Sequence, residues 1–236
     1  MDTSQIGKRA WSYAGVLMAA GLSCVEYVEQ LTMLLFLKMA DQLTGPPWNH
    51  APIVSPELGW KALLPLDGAA LETQYSTAIE KLGLMPGMLG VIFKGARCDI
   101  HNPALLKQLI VNLIDKEDWM SLPVDVKGTI YEELLQRSAS ESTKGAGQYF
   151  TTRAVIQTMV EVMQPTPADR ICDPASGTGG FLFTAYNYVL EKFGRELDGD
   201  EKRRVREELV EAMELSPKVG RMCAMNLYLH GIGGDK

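Results

Sequence analysis

The chain has 236 residues, of which 46% are hydrophobic and 22% charged, and its formal net charge is −6. The length is ample for a buried core and predicts two units, while the composition is that of an ordinary globular protein and argues against disorder or a membrane class. Neutralising phosphates takes clustered Lys and Arg, so any contact with DNA is expected to depend on a partner or on a local basic patch.

The apolar run Leu31–Leu37 is too short to span a bilayer and reads as a buried helix. The amino terminus lacks the charged start, apolar centre and cleavage site of an export signal, so a cytoplasmic location is expected. Cys24, Cys98, Cys172 and Cys223 never form a CxxC pair and sit among apolar neighbours, which predicts small core residues. His50, His101 and His230 have no partner at metal-ligand spacing, so no protein-bound metal is expected.

The first half reads as helices. Ser23 and Glu26 have capping-box spacing, and Val28, Leu31, Leu34, Leu35 and Met39 recur with helical period, predicting a helix from about Cys24 to Leu43. Gly45, Pro46 and Pro47 stop it, because proline cannot continue the hydrogen-bond ladder. The stretch from Trp48 to Gly68 reads as an irregular connection. Asn102 and Pro103 suit the cap and first turn of a helix with the stripe Leu105, Leu106, Leu109, Ile110 and Leu113, ending near Lys116. Another helix is expected from Val126 to about Arg137, with Ile130, Tyr131 and Leu134 on one face. Ser138 to Gly147 then forms a Ser-, Gly- and Thr-rich linker. These stripes predict core packing rather than chemistry.

Chemistry concentrates in the second half. Thr152 to Met163 predicts a helix with Val155, Met159, Val160 and Met163 facing inward, broken by Pro165 and Pro167 before a short strand ending at Cys172. The run ICDPASGTGGF then places Asp173 at a strand tip and glycines at 177, 179 and 180, where missing side chains let backbone approach a ligand. A helix follows with Leu182, Ala185, Tyr186, Val189, Leu190 and Phe193 on its buried face, its first amides pointing toward the ligand. Leu209 to Leu215 predicts a second strand that carries Glu214 at its tip, and Ser216 with Pro217 starts a helix running to Gly231. A carboxylate at a strand tip is the usual acceptor for ribose hydroxyls in dinucleotide-type folds. The turn lacks the GxGxxG spacing of a pyrophosphate binder, which favours a cofactor without phosphates over a nicotinamide dinucleotide.

Taken together, GQYFTTR at Gly147–Arg153, DPASGTGGF at Asp173–Phe181 and MELSPKVGRMCAMNLYLHG at Met213–Gly231 resemble the amino-terminal portion of the modification subunit of type I restriction-modification systems, the adenine-specific DNA methyltransferases. GTIYEELL at Gly128–Leu135 resembles the end of that family's helical domain. The resemblance implies an α-helical amino-terminal domain, residues 1–140, followed by the start of an α/β Rossmann-like S-adenosylmethionine-dependent methyltransferase domain, residues 141–236. It implies that Gln148, Tyr149, Phe150, Thr151, Thr152 and Arg153 lie against the methionine end of S-adenosyl-L-methionine. It further implies that Thr178, Gly179 and Gly180 form the turn beneath the cofactor, that Asp173 is the acidic residue of the first strand, and that Glu214 binds the ribose. The implied partners are DNA, a specificity subunit that reads the target and a restriction subunit.

Thr152 stands where the family has proline and Ser176 where it has cysteine; both are small enough to tune affinity rather than abolish it. The family's catalytic Asn/Asp-Pro-Pro-aromatic motif is absent, so no catalytic residue is assigned, the chain is expected to be truncated, and alone it is expected to be inactive. The alternative reading is a non-catalytic binding or assembly module, a natural remnant of such a subunit.

Overall fold

The computed structural model describes residues 3–141 and 151–233. Helix α1 (Thr3–Ala19) buries Ile6, Ala10, Ala14 and Leu17, a stripe spaced by three and four residues. Helix α2 (Cys24–Leu43) runs through the middle of the first half and has the expected bounds. Its capping box is formed: the Glu26 amide donates to Ser23 Oγ at 3.2 Å and the Ser23 amide to Glu26 Oε2 at 2.8 Å. Burial on all sides is the mark of a core helix, and the polar residues it takes inside are matched. Gln30 Nε2 donates to the Arg97 carbonyl at 2.7 Å, and Thr32 Oγ1 lies 2.5 Å from the Tyr131 hydroxyl.

Short helices α3 (Trp60–Leu63), α4 (Gly68–Leu82) and α5 (Gly87–Phe93) pack around it. The cap expected at Asn102 is present, its side chain accepting from the Ala104 amide at 3.0 Å. The helix it starts comes in two parts, α6 (Pro103–Gln108) and a wider-wound continuation, Leu109–Ile114, that closes with the Asp115 amide on the Ile110 carbonyl. Asp115 is fixed there by Lys38 Nζ at 2.7 Å and Trp60 Nε1 at 2.8 Å. Helix α7 (Val124–Glu141) outruns its expected end and takes in the start of the expected linker. Ile130, Tyr131, Leu134 and Leu135 are its buried face.

In the second half, α8 (Arg153–Met163) buries Ile156 and Val160, whereas Val155, Met159 and Met163 are 48%, 50% and 77% exposed. Of the four residues expected to face inward only Val160 does, with Ile156 beside it in place of the other three. Ile156 and Val160, one turn apart, meet Ala185 of α9 along a narrow stripe, and among the described residues no element covers the rest of the apolar surface. Strands β1 (Ile171–Asp173) and β2 (Val210–Ala212) pair in parallel, with Cys172 opposite Glu211. A parallel pair needs a long crossover, here α9 (Gly180–Phe193) and α10 (Gly199–Glu208). The second strand is shorter than expected, and Glu214 lies just past its end. Two cysteines depart from the core reading: Cys98 is half-buried, and Cys172 is exposed because the pleat turns it away from the side that half-buries Ile171 and Asp173.

The last helix, α11 (Pro217–Leu229), joins the halves. Met222, Met225 and Leu229 enter the same apolar cluster as α2 and α7, each contributing roughly 1.5–3 kcal/mol on full burial. Arg221, 1% exposed, pairs with the buried Glu29 of α2 and donates to the carbonyls of Ile92 at 2.5 Å and Lys94 at 2.9 Å. Replacing Arg221 leaves the buried Glu29 only the half-exposed Lys218, whose Nζ lies 3.1 Å from Oε2, as a cationic partner. Arg221→Met is expected to lower stability by about 3–5 kcal/mol in urea unfolding, and Glu29→Leu combined with Arg221→Met to recover most of it.

Candidate cofactor site

The glycine turn is built by backbone geometry. Gly177 and Gly179 adopt φ values of 56° and 84°, the left-handed region that side chains disfavour. A Cβ on Gly179 would sit 3.0 Å from Cys223 Sγ, and one on Gly180 would sit 3.1 Å from Ile156 Cδ1, so both are also places of close approach. The Gly179 amide closes the turn on the Ser176 carbonyl at 2.8 Å. Gly179 is also the N-cap of α9 and supplies no capping side chain, leaving the first amides of that helix facing the cavity as an anion-favouring end.

Glu214 reaches across from the end of β2. Its Oε2 accepts from the Gly177 amide at 3.0 Å and its Oε1 from the Ser216 amide at 2.8 Å. Each oxygen keeps a lone pair, so the carboxylate is a fixed bidentate acceptor. Asp173 accepts from the Ala175 amide at 3.1 Å, holding the bend that leaves β1. Together these residues border a cavity of about 280 Å³ whose lining includes Thr151, Arg153, Asp173, Thr178, Gly180 and Glu214.

Of the residues singled out from sequence, those six meet at one cavity with Ser176 and Gly177, while Gly179 holds the turn against Cys223 without lining it. Thr152 stands at the N-cap position of α8, makes no side-chain cap bond and does not line the cavity. Gln148, Tyr149 and Phe150 lie outside the described residues. Sequence reasoning missed two participants. Glu132 on α7 lines the cavity and forms an ion pair with Arg153. Asn226 on α11, 1% exposed, donates to the Thr178 carbonyl of the turn at 2.9 Å. A legible signal for the first was Gly128, one turn before Glu132 on the same face: a Cβ there would run into the His230 ring, so this face of α7 meets another element closely.

The lining carries the carboxylates of Asp173 and Glu214 together with the Glu132–Arg153 ion pair. The two further carboxylates make such a cavity favour a ligand with net positive charge over phosphates. Among the described residues no cluster of His, Cys, Asp and Glu is placed to hold a metal, and no helix is long and apolar enough to cross a membrane. Burial pushes the Glu132 carboxyl up to about 7, with Arg153 and Asn226 pulling it back down.

Alongside this geometry, residues 123–236 match the model of the N-6 DNA methylase family. Over its whole length the chain is 32% identical to the type I restriction enzyme StySPI methylase subunit of Salmonella potsdam and 32% identical to the EcoKI methylase subunit of Escherichia coli K12, and it spans 45% of each. A solved structure of a type I R-M system superposes on 98% of this chain and 50% of its own, with a TM-score of 0.77 and 25% identity. These likenesses bear out the type I methylase resemblance drawn from the motifs.

The raised Glu132 carboxyl gives a stability test. Its folded state holds a proton that the unfolded chain releases near 4.5, so its contribution is most favourable below that value and declines as pH rises to about 7. Across this window the thermal midpoint of the wild type is expected to fall more steeply than that of Glu132→Gln; parallel curves would show that the carboxyl is not perturbed.

Proposed function

We propose that this chain supplies the S-adenosyl-L-methionine seat of a type I modification subunit, an enzyme that methylates the exocyclic amino group of adenine in DNA. The observation that carries this reading is the Glu214 carboxylate clamped between the Gly177 and Ser216 amides over a glycine turn. When bound, the cofactor supplies a methyl group on a sulfonium. The residues fit it: Glu214 is arranged to accept from the ribose hydroxyls, and the Thr178–Gly180 turn leaves room beneath the ligand. The uncapped amides of α9 with Arg153 suit the carboxylate of its amino-acid end. The acidic lining matches the cofactor's net positive charge, which a nicotinamide dinucleotide lacks.

Within this reading the segment from Gln148 to Arg153 closes the methionine side, and Asp173 holds the strand-tip bend that orients the turn. A Rossmann-like sheet begins with β1 and β2, and the helical half, residues 1–140, forms a separate unit braced against it. No Asn/Asp-Pro-Pro-aromatic segment is present, so no residue here is assigned to the adenine, and the proposed contribution of these residues is to bind and orient the methyl donor. DNA, a specificity subunit and a restriction subunit are the proposed partners, consistent with a net charge of −6 that leaves target reading to another chain. A cytoplasmic location follows from this role.

Calorimetry is expected to show binding of S-adenosylhomocysteine and none of NAD; binding of NAD alone would overturn the reading. Glu214→Gln is expected to weaken S-adenosylhomocysteine by about 1.5–3 kcal/mol, the range for hydrogen bonds to a charged group, with circular dichroism unchanged.

A further inference from the structure

The Glu132–Arg153 pair is unusual in its placement. Glu132 comes from the helical half, is only 7% exposed, and still borders the same cavity as Asp173 and Glu214. Arg153 opens the first turn of α8, 42% exposed, so the pair presents a buried anion beside an accessible cation on one wall. Asn226, whose amide nitrogen holds the Thr178 carbonyl of the glycine turn at 2.9 Å, ties the same wall to that turn. The two Glu132 oxygens offer about four lone-pair positions, and the Arg153 guanidinium does not exhaust them.

Adjacent fixed charges of opposite sign complement a zwitterion. Resting on the cofactor reading above, we propose that Glu132 is a specificity-determining residue of this site: it accepts the α-ammonium of the ligand's amino-acid end while Arg153 faces the α-carboxylate. The helical half thereby reads one end of the cofactor directly. Its ligand selectivity follows: nucleosides with a full amino-acid tail are favoured over those whose tail lacks the amine. Burial strengthens the contact, since a charge-assisted hydrogen bond away from water is worth more than one on the surface.

The test is a binding cycle by calorimetry with S-adenosylhomocysteine and its deaminated analogue, on wild type and Glu132→Gln. Wild type is expected to prefer the amine-bearing ligand at least tenfold, and Glu132→Gln less than twofold. A variant that keeps the wild-type preference, or that weakens both ligands equally, overturns the assignment and leaves Glu132 a structural residue. Should the variant fail to fold, equal binding of the two ligands by wild type overturns it on its own. Failure of wild type to bind either nucleoside strikes instead at the cofactor reading, so the two outcomes are separable.

Discussion

The buried pairing of Arg221 with Glu29 is the constraint on which the arrangement depends. Removing two charges from water is costly unless geometry and further hydrogen bonds compensate. Arg221 meets that demand by also binding the carbonyls of Ile92 and Lys94 at the end of α5. These bonds fix the rotation of α11 against α2 and α5. With the helix set in that rotation, Met222, Met225 and Leu229 fall into the helical core, while Cys223, Asn226 and Leu227 fall beneath the glycine turn. One helix thus transmits the packing of the first half to the position of Thr178 and Gly179 in the second.

The cavity inherits its chemistry from that placement. Glu214 precedes the first residue of α11 by three positions, and its carboxylate is fixed by the Ser216 amide on one side and the Gly177 amide on the other. A carboxylate so held loses little freedom when a ligand hydroxyl approaches, which is the energetic meaning of preorganisation. Asp173 adds negative charge from a further element, so the sign of the site is set by residues far apart in sequence. That sign separates a sulfonium nucleoside from a phosphate-bearing dinucleotide more sharply than the glycine spacing does.

Much of this was legible in the sequence where the signal is local. The Ser23–Glu26 capping box, the bounds of α2, the Asn102 cap and the strand–turn–helix unit around Gly177–Gly180 all follow from residues within a few positions of one another. What was missed is non-local. The inward face of α8 was read only in part: Val160 is buried as expected, but Val155, Met159 and Met163 are as apolar as Ile156, and only the position of α9 chooses between them. Cys172 reads as core by its neighbours, yet the pleat sends it outward. Glu132 escaped notice because an acidic residue in a helix is ordinarily solvated; its ion-pair partner Arg153 lies 21 residues along the chain.

The walls of the cavity meet where side chains are missing. Gly128 lets α7 lie against the His230 ring, Gly179 lets the turn rest on Cys223, and Gly180 lets α9 approach Ile156 of α8. A methyl group at Gly128 would overlap the His230 ring, and one at Gly179 or Gly180 would press on Cys223 or Ile156, and close-packed interiors resist such displacement. The separations among Glu132, Arg153 and the turn are therefore held by backbone that packs directly on neighbouring side chains. That rigidity is what an ion-lined pocket requires, because an electrostatic fit decays with a shift of about 1 Å. It also explains why a helical segment with no chemistry of its own in the first hundred residues bears on the site: its packing sets the distance at which α7 presents its carboxylate.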